Sequence, residues 1–288
     1  MKSIRVRTPA KINLFLRVLK RREDGYHELE TLFQAIDLWD ELIISKAVSG
    51  SHLKVCGHPD LETSDNLVLR AIGWLEKRTE ARYAVQIQLK KGIPVAAGLG
   101  GGSSDAAATL LGTRHLFGLS LTDEDLLDGA RELGADVSFF LSGGSAVGEG
   151  IGELLTPVQL SLDYGLVLIN PGFAVSTSAV YSEFSRTLTR DERHSTLWKL
   201  LREGCSVDRL LHNDLQPATE ILYPEVARVR AFMHEIVCEA ALMSGSGPTV
   251  FGLVDLEAQR IEEVRRQLPA HWAMTLTRPV EWGVMIDG

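Results

Sequence analysis

Apolar residues alternate with polar ones near the start of the chain: Ile4 and Val6, then Ile12, Leu14, Leu16 and Val18. Period two predicts β-strand across 4–19. Pro9 stands inside the run, and a proline cannot donate to a sheet ladder, so two short strands or one bulged strand are expected. The same period places Lys11 with Asn13 and Phe15 on one face, opposite Ile12 and Leu14. The polar run Arg21-Arg22-Glu23-Asp24-Gly25-Tyr26-His27, with Asp-Gly at its apex, predicts a turn into further strand over 29–45. Clean alternation returns at 83–89. Helices are expected over 64–77, with Ser64 or Asp65 as N-cap, over 104–117, and over 122–133. The last opens on Thr122 and three acids and stops at Gly134. Asp136, just before an apolar run, has the position of an N-cap. Glycine-rich 143–152 reads as loop and strand.

Beyond about residue 159 the order of elements is informative. A strand at 166–169 leads into a helical stretch reaching about 235. Strands at 240–243 and 249–254 form a hairpin across Ser244-Gly245-Ser246-Gly247-Pro248, and a helix at 256–268 precedes a strand at 272–277. This β-α-β-β-α-β order is the split pattern of a ferredoxin-like domain, with extra helices in the first crossover. Two domains are expected, 1–158 and 159–288, in an α+β chain.

Composition narrows the function without naming it. The chain has 288 residues, 45% apolar and 24% charged, as an ordinary globular protein with an ample core has. A net charge of −8 argues against nucleic acid or an anionic membrane as partner, yet leaves room for a local basic pocket around a phosphorylated small molecule. Cys56, Cys205 and Cys238 are far apart and form no Cys-x-x-Cys pair, so neither a disulfide framework nor a zinc site is supported. Met1-Lys2-Ser3-Ile4-Arg5 lacks the apolar run of a signal peptide, and a cytoplasmic protein is expected.

The strongest candidate chemistry is Pro94-Val95-Ala96-Ala97-Gly98-Leu99-Gly100-Gly101-Gly102-Ser103-Ser104-Asp105, which runs into an alanine-rich helix. Glycines let a backbone turn its N–H groups toward an anion, and the helix start adds unpaired N–H groups and positive potential. The alternative is a flexible turn capped by Ser103 or Ser104. A Walker loop needs a lysine after its last glycine, and Ser103 stands there; the dinucleotide fingerprint fails because its third glycine is also Ser103. A third kind of phosphate loop is required.

Three stretches, Pro9-Ala10-Lys11-Ile12-Asn13-Leu14, Pro94 to Ala107, and Gly245-Ser246-Gly247, together resemble the GHMP kinase family of galacto-, homoserine, mevalonate and phosphomevalonate kinases. Arg22-Glu23-Asp24-Gly25-Tyr26-His27, the triple glycine, and Gly134-Ala135-Asp136-Val137 resemble the branch whose acceptor is a cytidine diphosphate methylerythritol. The resemblance spans essentially the full length. It implies a ribosomal-protein-S5-like ATP-binding domain, a ferredoxin-like substrate domain, and transfer of phosphate from ATP to a small alcohol.

Roles follow from that resemblance. Residues 94 to 104 would cradle the ATP phosphates, with Ser103 and Ser104 donating hydroxyls, and Asn66 and Leu67 would lie beside adenine. Asp136 would accept or orient the acceptor hydroxyl proton, and Lys11 would stabilise charge at the transferred group. Asn13 would bond the erythritol portion. Tyr26 and His27 would supply one stacking face and edge contacts for cytosine, and Tyr181, where a phenylalanine is common, the other face. Gly245, Ser246 and Gly247 would cover the substrate diphosphate. Relatives often carry glycine where Ala96 and Ala97 stand; a negative φ is therefore expected at Ala97, with anion contacts beginning at Gly98. Mg²⁺ should accompany ATP, its ligands open between Asp105 and Asp136. Another GHMP small-alcohol kinase, of mevalonate or homoserine type, would keep Lys11 and Asp136 without needing Tyr26 and His27. A non-catalytic nucleotide-binding module would need neither.

Overall fold

The computed structural model describes residues 2–160, 163–187, 196–238, 240–254 and 258–287. The opening alternation forms one long ribbon, β1 (Ser3–Arg21) antiparallel to β2 (His27–Lys46). Pro9 does not divide β1: the register slips between Pro9 and Ala10, so the strand is bulged. A second slip follows Asn13. Lys11 and Asn13 remain on one side, 2.7 Å apart, but Phe15 is turned into the apolar cluster that holds Ile12 and Leu14. The expected face for Phe15 is thereby corrected; a bulge resets the alternation that period two assumes.

The rest of the first half builds on this ribbon. β3 (His52–Cys56) lies parallel to β4 (Val85–Lys90), β4 pairs with β2, and β5 (Ser145–Glu149) joins β2 to β6 (Leu154–Pro157). Helices α1 (Leu67–Thr79), α2 (Gly101–Phe117), α3 (Asp123–Leu133) and α4 (Val137–Ser142) close over these strands in one apolar cluster. Small residues make the close fit of α2 possible. Ala106, Ala107 and Ala108 are wholly buried, and a Cβ on Gly112 would stand 2.7 Å from Ile44.

Two helix starts differ from expectation. Asn66, not Ser64 or Asp65, caps α1, its side chain accepting the N–H of Val68. α2 begins at Gly101, three positions ahead of Ser104, with Gly100 as its N-cap, so neither serine caps it. α3 has the anticipated Thr122 cap, completed by Asp125 as a capping box.

The second half contains β7 (Gly165–Asn170), α5 (Thr177–Thr187), α6 (Leu197–Arg202), α7 (Val207–Leu210), β8 (His212–Asn213), α8 (Gln216–Leu222) and α9 (Pro224–Phe232). It continues with β9 (Ala241–Met243), β10 (Val250–Val254), α10 (Ala258–Gln267), β11 (Ala273–Thr277) and β12 (Met285–Asp287). The strand order β11-β7-β10-β9 is antiparallel throughout, the ferredoxin-like arrangement. The start expected at 256 for the last helix, and the part of the long helical stretch at 188–195, lie outside the described residues.

The two halves are not separate in space. β8 runs parallel to β1, and β12 pairs with its other end. An apolar cluster also draws Ile12, Leu14 and Leu99 together with Leu166, Leu168 and Phe251. The division at 158 therefore marks a change of pattern along the sequence, and β8 and β12 cross it in space.

Candidate active site

A cavity of about 1220 Å³ is lined by both halves and collects most of the anticipated site residues. The wall that carries Lys11 and Asn13 is built on the bulged part of β1. The slip after Pro9 lets the Lys11 backbone N–H leave the ladder for the carbonyl of Leu99, 3.0 Å away, which fastens the strand to the glycine loop. The Lys11 ammonium, 4% exposed, donates to Asn13 Oδ1 at 2.7 Å, lies 3.2 Å from Asp136 Oδ2, and sits 5.3 Å from the centre of the Phe33 ring. Asp136 occupies the N-cap position of α4, yet its side chain makes no cap bond. It is turned to Lys11 and keeps 30% of its side chain exposed. A carboxylate at a helix start normally meets the free N–H groups; here the opposing ammonium wins.

Asn13 is held at both ends of its amide. Oδ1 accepts from Lys11, and Nδ2 donates to Thr31 Oγ1 at 2.8 Å, whose hydroxyl donates onward to the Phe15 carbonyl. The chain Thr31–Asn13–Lys11 fixes the direction of the ammonium. One Nδ2 hydrogen of Asn13 is left over in the cavity wall.

The glycine loop lines the cavity at Pro94, Val95, Ala96, Ala97, Gly98, Gly100, Gly101, Gly102 and Ser103. Ala97 has the expected negative φ, and the left-handed conformation falls one residue earlier, on Ala96 with φ of 51°. The residues from Pro94 to Ala97 face the cavity as well. Gly98 (φ of 76°) has no room for a side chain, since a Cβ would stand 2.3 Å from the Ser244 carbonyl. A Cβ on Gly102 would touch only Leu67 at 3.9 Å, so this position is open toward the cavity.

Two members of the loop are structural. Leu99 is buried in the apolar cluster shared by the two halves. Ser104 is fully buried, its hydroxyl donating to the Pro9 carbonyl at 2.5 Å and lying 2.5 Å from Thr8 Oγ1. Ser104 was expected to offer its hydroxyl to phosphate; instead it ties α2 to β1, and Ser103 is the serine on the cavity. Asn66 and Leu67 do line the cavity, as does Leu61. The Asn66 side chain is largely spent on structure, accepting from the Val68 N–H and donating to the Leu61 carbonyl.

Also on the cavity, Tyr26 is 60% exposed, whereas His27 is buried and stacks on Tyr181 with ring centres 4.9 Å apart and planes 25° apart. His27 Nε2 lies 3.0 Å from Ser185 Oγ. Burial, and then the Arg21 charge, lower the His27 pKa, which favours the neutral ring. Burial and the Asp136 carboxylate push the Tyr181 phenol well up, so this ring stays un-ionised. The Gly245–Ser246–Gly247 loop faces the same space, with Ser246 Oγ 2.8 Å from Thr177 Oγ1 at the start of α5. Thr31, Thr177, Ser178, Ser182, Ser185, Arg21, Arg186 and Lys91 also line the cavity and were not anticipated. The serine- and threonine-rich run beside Tyr181 was the available signal for the α5 residues.

The donor set suits a nucleoside triphosphate: Gly98 and Gly100, too crowded and too strained for side chains, lead into the N-terminus of a 17-residue helix. It offers little for a metal cage. Asp105 Oδ2 is engaged by Lys91 at 2.7 Å, and no group of three or more His, Cys, Asp or Glu gathers among the described residues. Magnesium needs only one or two carboxylates when phosphates supply other ligands. Asp136, partly exposed, fits that lesser role better than Asp105.

A kinase of two joined domains, with a backbone phosphate cradle and a Lys–Asp pair facing a small-molecule cavity, is the class that fold and site define. The N-terminal domain of GHMP kinases matches residues 66–144, and the C-terminal domain of GHMP kinases matches residues 188–273. A 4-diphosphocytidyl-2-C-methyl-D-erythritol kinase from Geobacter metallireducens is 40% identical over 286 residues, covering 99% of this chain and 98% of that protein. One from Pelotomaculum thermopropionicum is 43% identical over 256 residues, covering 87% and 89%. A crystal structure of 4-(cytidine 5'-diphospho)-2C-methyl-D-erythritol kinase superposes with a TM-score of 0.77 at 34% identity, covering 96% of this chain and 98% of that one. The homoserine kinase of Cytophaga hutchinsonii shares the fold, with a TM-score of 0.75 at 19% identity, covering 100% of this chain and 98% of that one. The chain belongs to the GHMP kinase family, with the 4-diphosphocytidyl-2-C-methyl-D-erythritol kinases as its relatives over nearly its full length. Among the described residues no helix is long and apolar enough to cross a membrane.

Proposed function

We propose that this chain transfers the γ-phosphoryl group of ATP to the 2-hydroxyl of 4-diphosphocytidyl-2-C-methyl-D-erythritol, in the cytoplasm, as a step of isoprenoid precursor biosynthesis. The observation that carries the reading is the Lys11–Asp136 pair, 3.2 Å apart, in a cavity that also holds the glycine loop and the His27–Tyr181 stack. Phosphoryl transfer depends on in-line positioning and charge neutralisation more than on covalent chemistry. Asp136 accepts or orients the acceptor hydroxyl proton. Lys11, aimed by Asn13, pairs with Asp136 and lies where charge develops on the transferred group. Backbone N–H groups of residues 98 to 103, with the hydroxyl of Ser103, hold the nucleotide phosphates, and Leu67 packs beside the base. Mg²⁺ carried on those phosphates would neutralise negative charge, and Asp136, a partly exposed acid on the cavity, would help hold it.

At the acceptor end, Tyr26 and Tyr181 offer faces for cytosine, and neutral His27, paired with Ser185, offers a ring nitrogen to its edge. Ser246, beside Thr177, and the flanking glycines cover the diphosphate. Coupled ADP release with a panel of alcohols tests the reading. Turnover with the cytidine diphosphate substrate, and none with mevalonate or homoserine, is the expected result; the reverse pattern refutes the assignment.

A further inference from the structure

The base of the glycine loop contains a buried group of charges that the reaction does not use. Lys91, just past the end of β4, donates from Nζ to Asp40 Oδ2 at 2.5 Å and to Asp105 Oδ2 at 2.7 Å, and none of the three side chains is more than 7% exposed. Asp40 Oδ1 also accepts the N–H groups of Gly92 and Ile93, at 2.7 and 2.9 Å. The ammonium rides against the first residue of α2: a Cβ on Gly101 would stand 3.1 Å from Nζ. Lys91 and Asp105 both line the cavity, and Asp105 Oδ1 is buried without a hydrogen-bond partner.

Two carboxylates on one ammonium leave no surplus positive charge for a phosphate, so Lys91 is not a substitute for the lysine of a Walker loop. Its place in the chain suggests a different task. Residues 91 and 105 are the two ends of the segment that carries the cradle; Asp40, on the long ribbon, holds the 91–93 end, and Lys91 bridges it to Asp105. We propose that Asp40, Lys91 and Asp105 form a clasp that holds the two ends of the phosphate loop in register, with Lys91 and Asp105 as positioning residues for ATP. Removing a buried ion pair's partner is costly, whereas keeping it gains little net stability; a clasp that sets geometry accounts for its retention next to a site where small misplacement is expensive. Burial and the neighbouring Asp40 push the Asp105 carboxyl well up in pKa. A neutral acid at 105 would still accept from Lys91, so an amide there should serve as well.

The inference rests on the reading that residues 98 to 103 bind the ATP phosphates. Binding of a non-hydrolysable ATP analogue to the full chain, followed by calorimetry, tests it together with the KM of the acceptor. Asp105→Ala and Lys91→Met are expected to weaken analogue binding by roughly tenfold or more, with the acceptor KM within about twofold of wild type and Asp105→Asn within about threefold in affinity. Asp105→Ala leaves the Lys91–Asp40 pair in place and so reports even where Lys91→Met fails to fold. Wild-type affinity in Asp105→Ala, equal weakening toward both substrates, or an Asn variant as weak as Ala overturns the clasp. Gly98→Ala serves as the loop control: loss of analogue binding there, with Asp105→Ala unaffected, sinks the clasp alone. Unchanged binding in Gly98→Ala removes the loop reading and the clasp with it.

Discussion

Replacing Asp136 by asparagine separates chemistry from binding. Asn keeps the shape and one oxygen that Lys11 can donate to, but it cannot take a proton. Lys11 retains its 2.7 Å bond to Asn13, and the lost partner stands 3.2 Å away with 30% of its side chain in solvent. The buried ammonium loses its counter-charge, which costs about 3–5 kcal/mol in a fully buried pair, and the partial exposure of Asp136 should bring the loss of stability down to about 2–3 kcal/mol. The rate should suffer more. A positioned general base contributes roughly 10²–10⁴-fold, which is about 2.7–5.5 kcal/mol of barrier. Coupled ADP release at saturating substrates should show kcat reduced at least about a hundredfold. Calorimetry with an ATP analogue in the absence of Mg²⁺ should show affinity close to wild type, since the Asp136 carboxylate pairs with Lys11 and not with the glycine loop. A variant that keeps more than about a tenth of wild-type kcat would falsify the base assignment, because no group acting at the proton is that dispensable.

Other residues should respond differently. Tyr26→Ala removes an exposed ring on the cavity and should raise the acceptor KM by the roughly 1–3 kcal/mol that base stacking contributes, leaving the KM for ATP unchanged; equal shifts in both constants would refute the stacking role. Ala96→Gly relieves a left-handed alanine and should raise stability by about 0.5–1 kcal/mol after the extra chain entropy of glycine, read as a higher denaturant midpoint. His27 has a pKa lowered from 6.5 by burial, so the unfolded chain binds the proton more tightly; stability from this group is present above about pH 6.5 and lost as pH falls through the folded pKa. His27→Asn should flatten that part of the pH–midpoint curve, and an unaltered slope between the two proteins would show that another group titrates there.

Much of this protein was legible along the chain because its signals are local. Period two marked β1 and β4, the Asp-Gly turn pointed on to β2, and Thr122 with its acids marked α3. The order of strands and helices after 159 carried the ferredoxin-like arrangement, since short connections leave few ways to pair such a series. Lys11, Asp136 and the glycine loop were visible as motifs, and the cavity brings all three to one place.

Tertiary contacts decided the rest. The slip after Asn13 sent Phe15 inward, an outcome that depends on how β2 pairs and not on the pattern of β1. Ser103 and Ser104 are chemically alike, and only the fit of α2 against Thr8 and Pro9 made one structural and left the other on the cavity. Asp136 read locally as an N-cap; an ammonium from a distant strand outcompeted the nearby N–H groups because a buried charge needs a charged partner more than a helix end needs a cap. The same rule assembled Asp40, Lys91 and Asp105 from three separate segments. Sequence determined which chemical groups the protein possesses and the elements that carry them; burial, by making each unpaired charge and hydroxyl expensive, chose their partners.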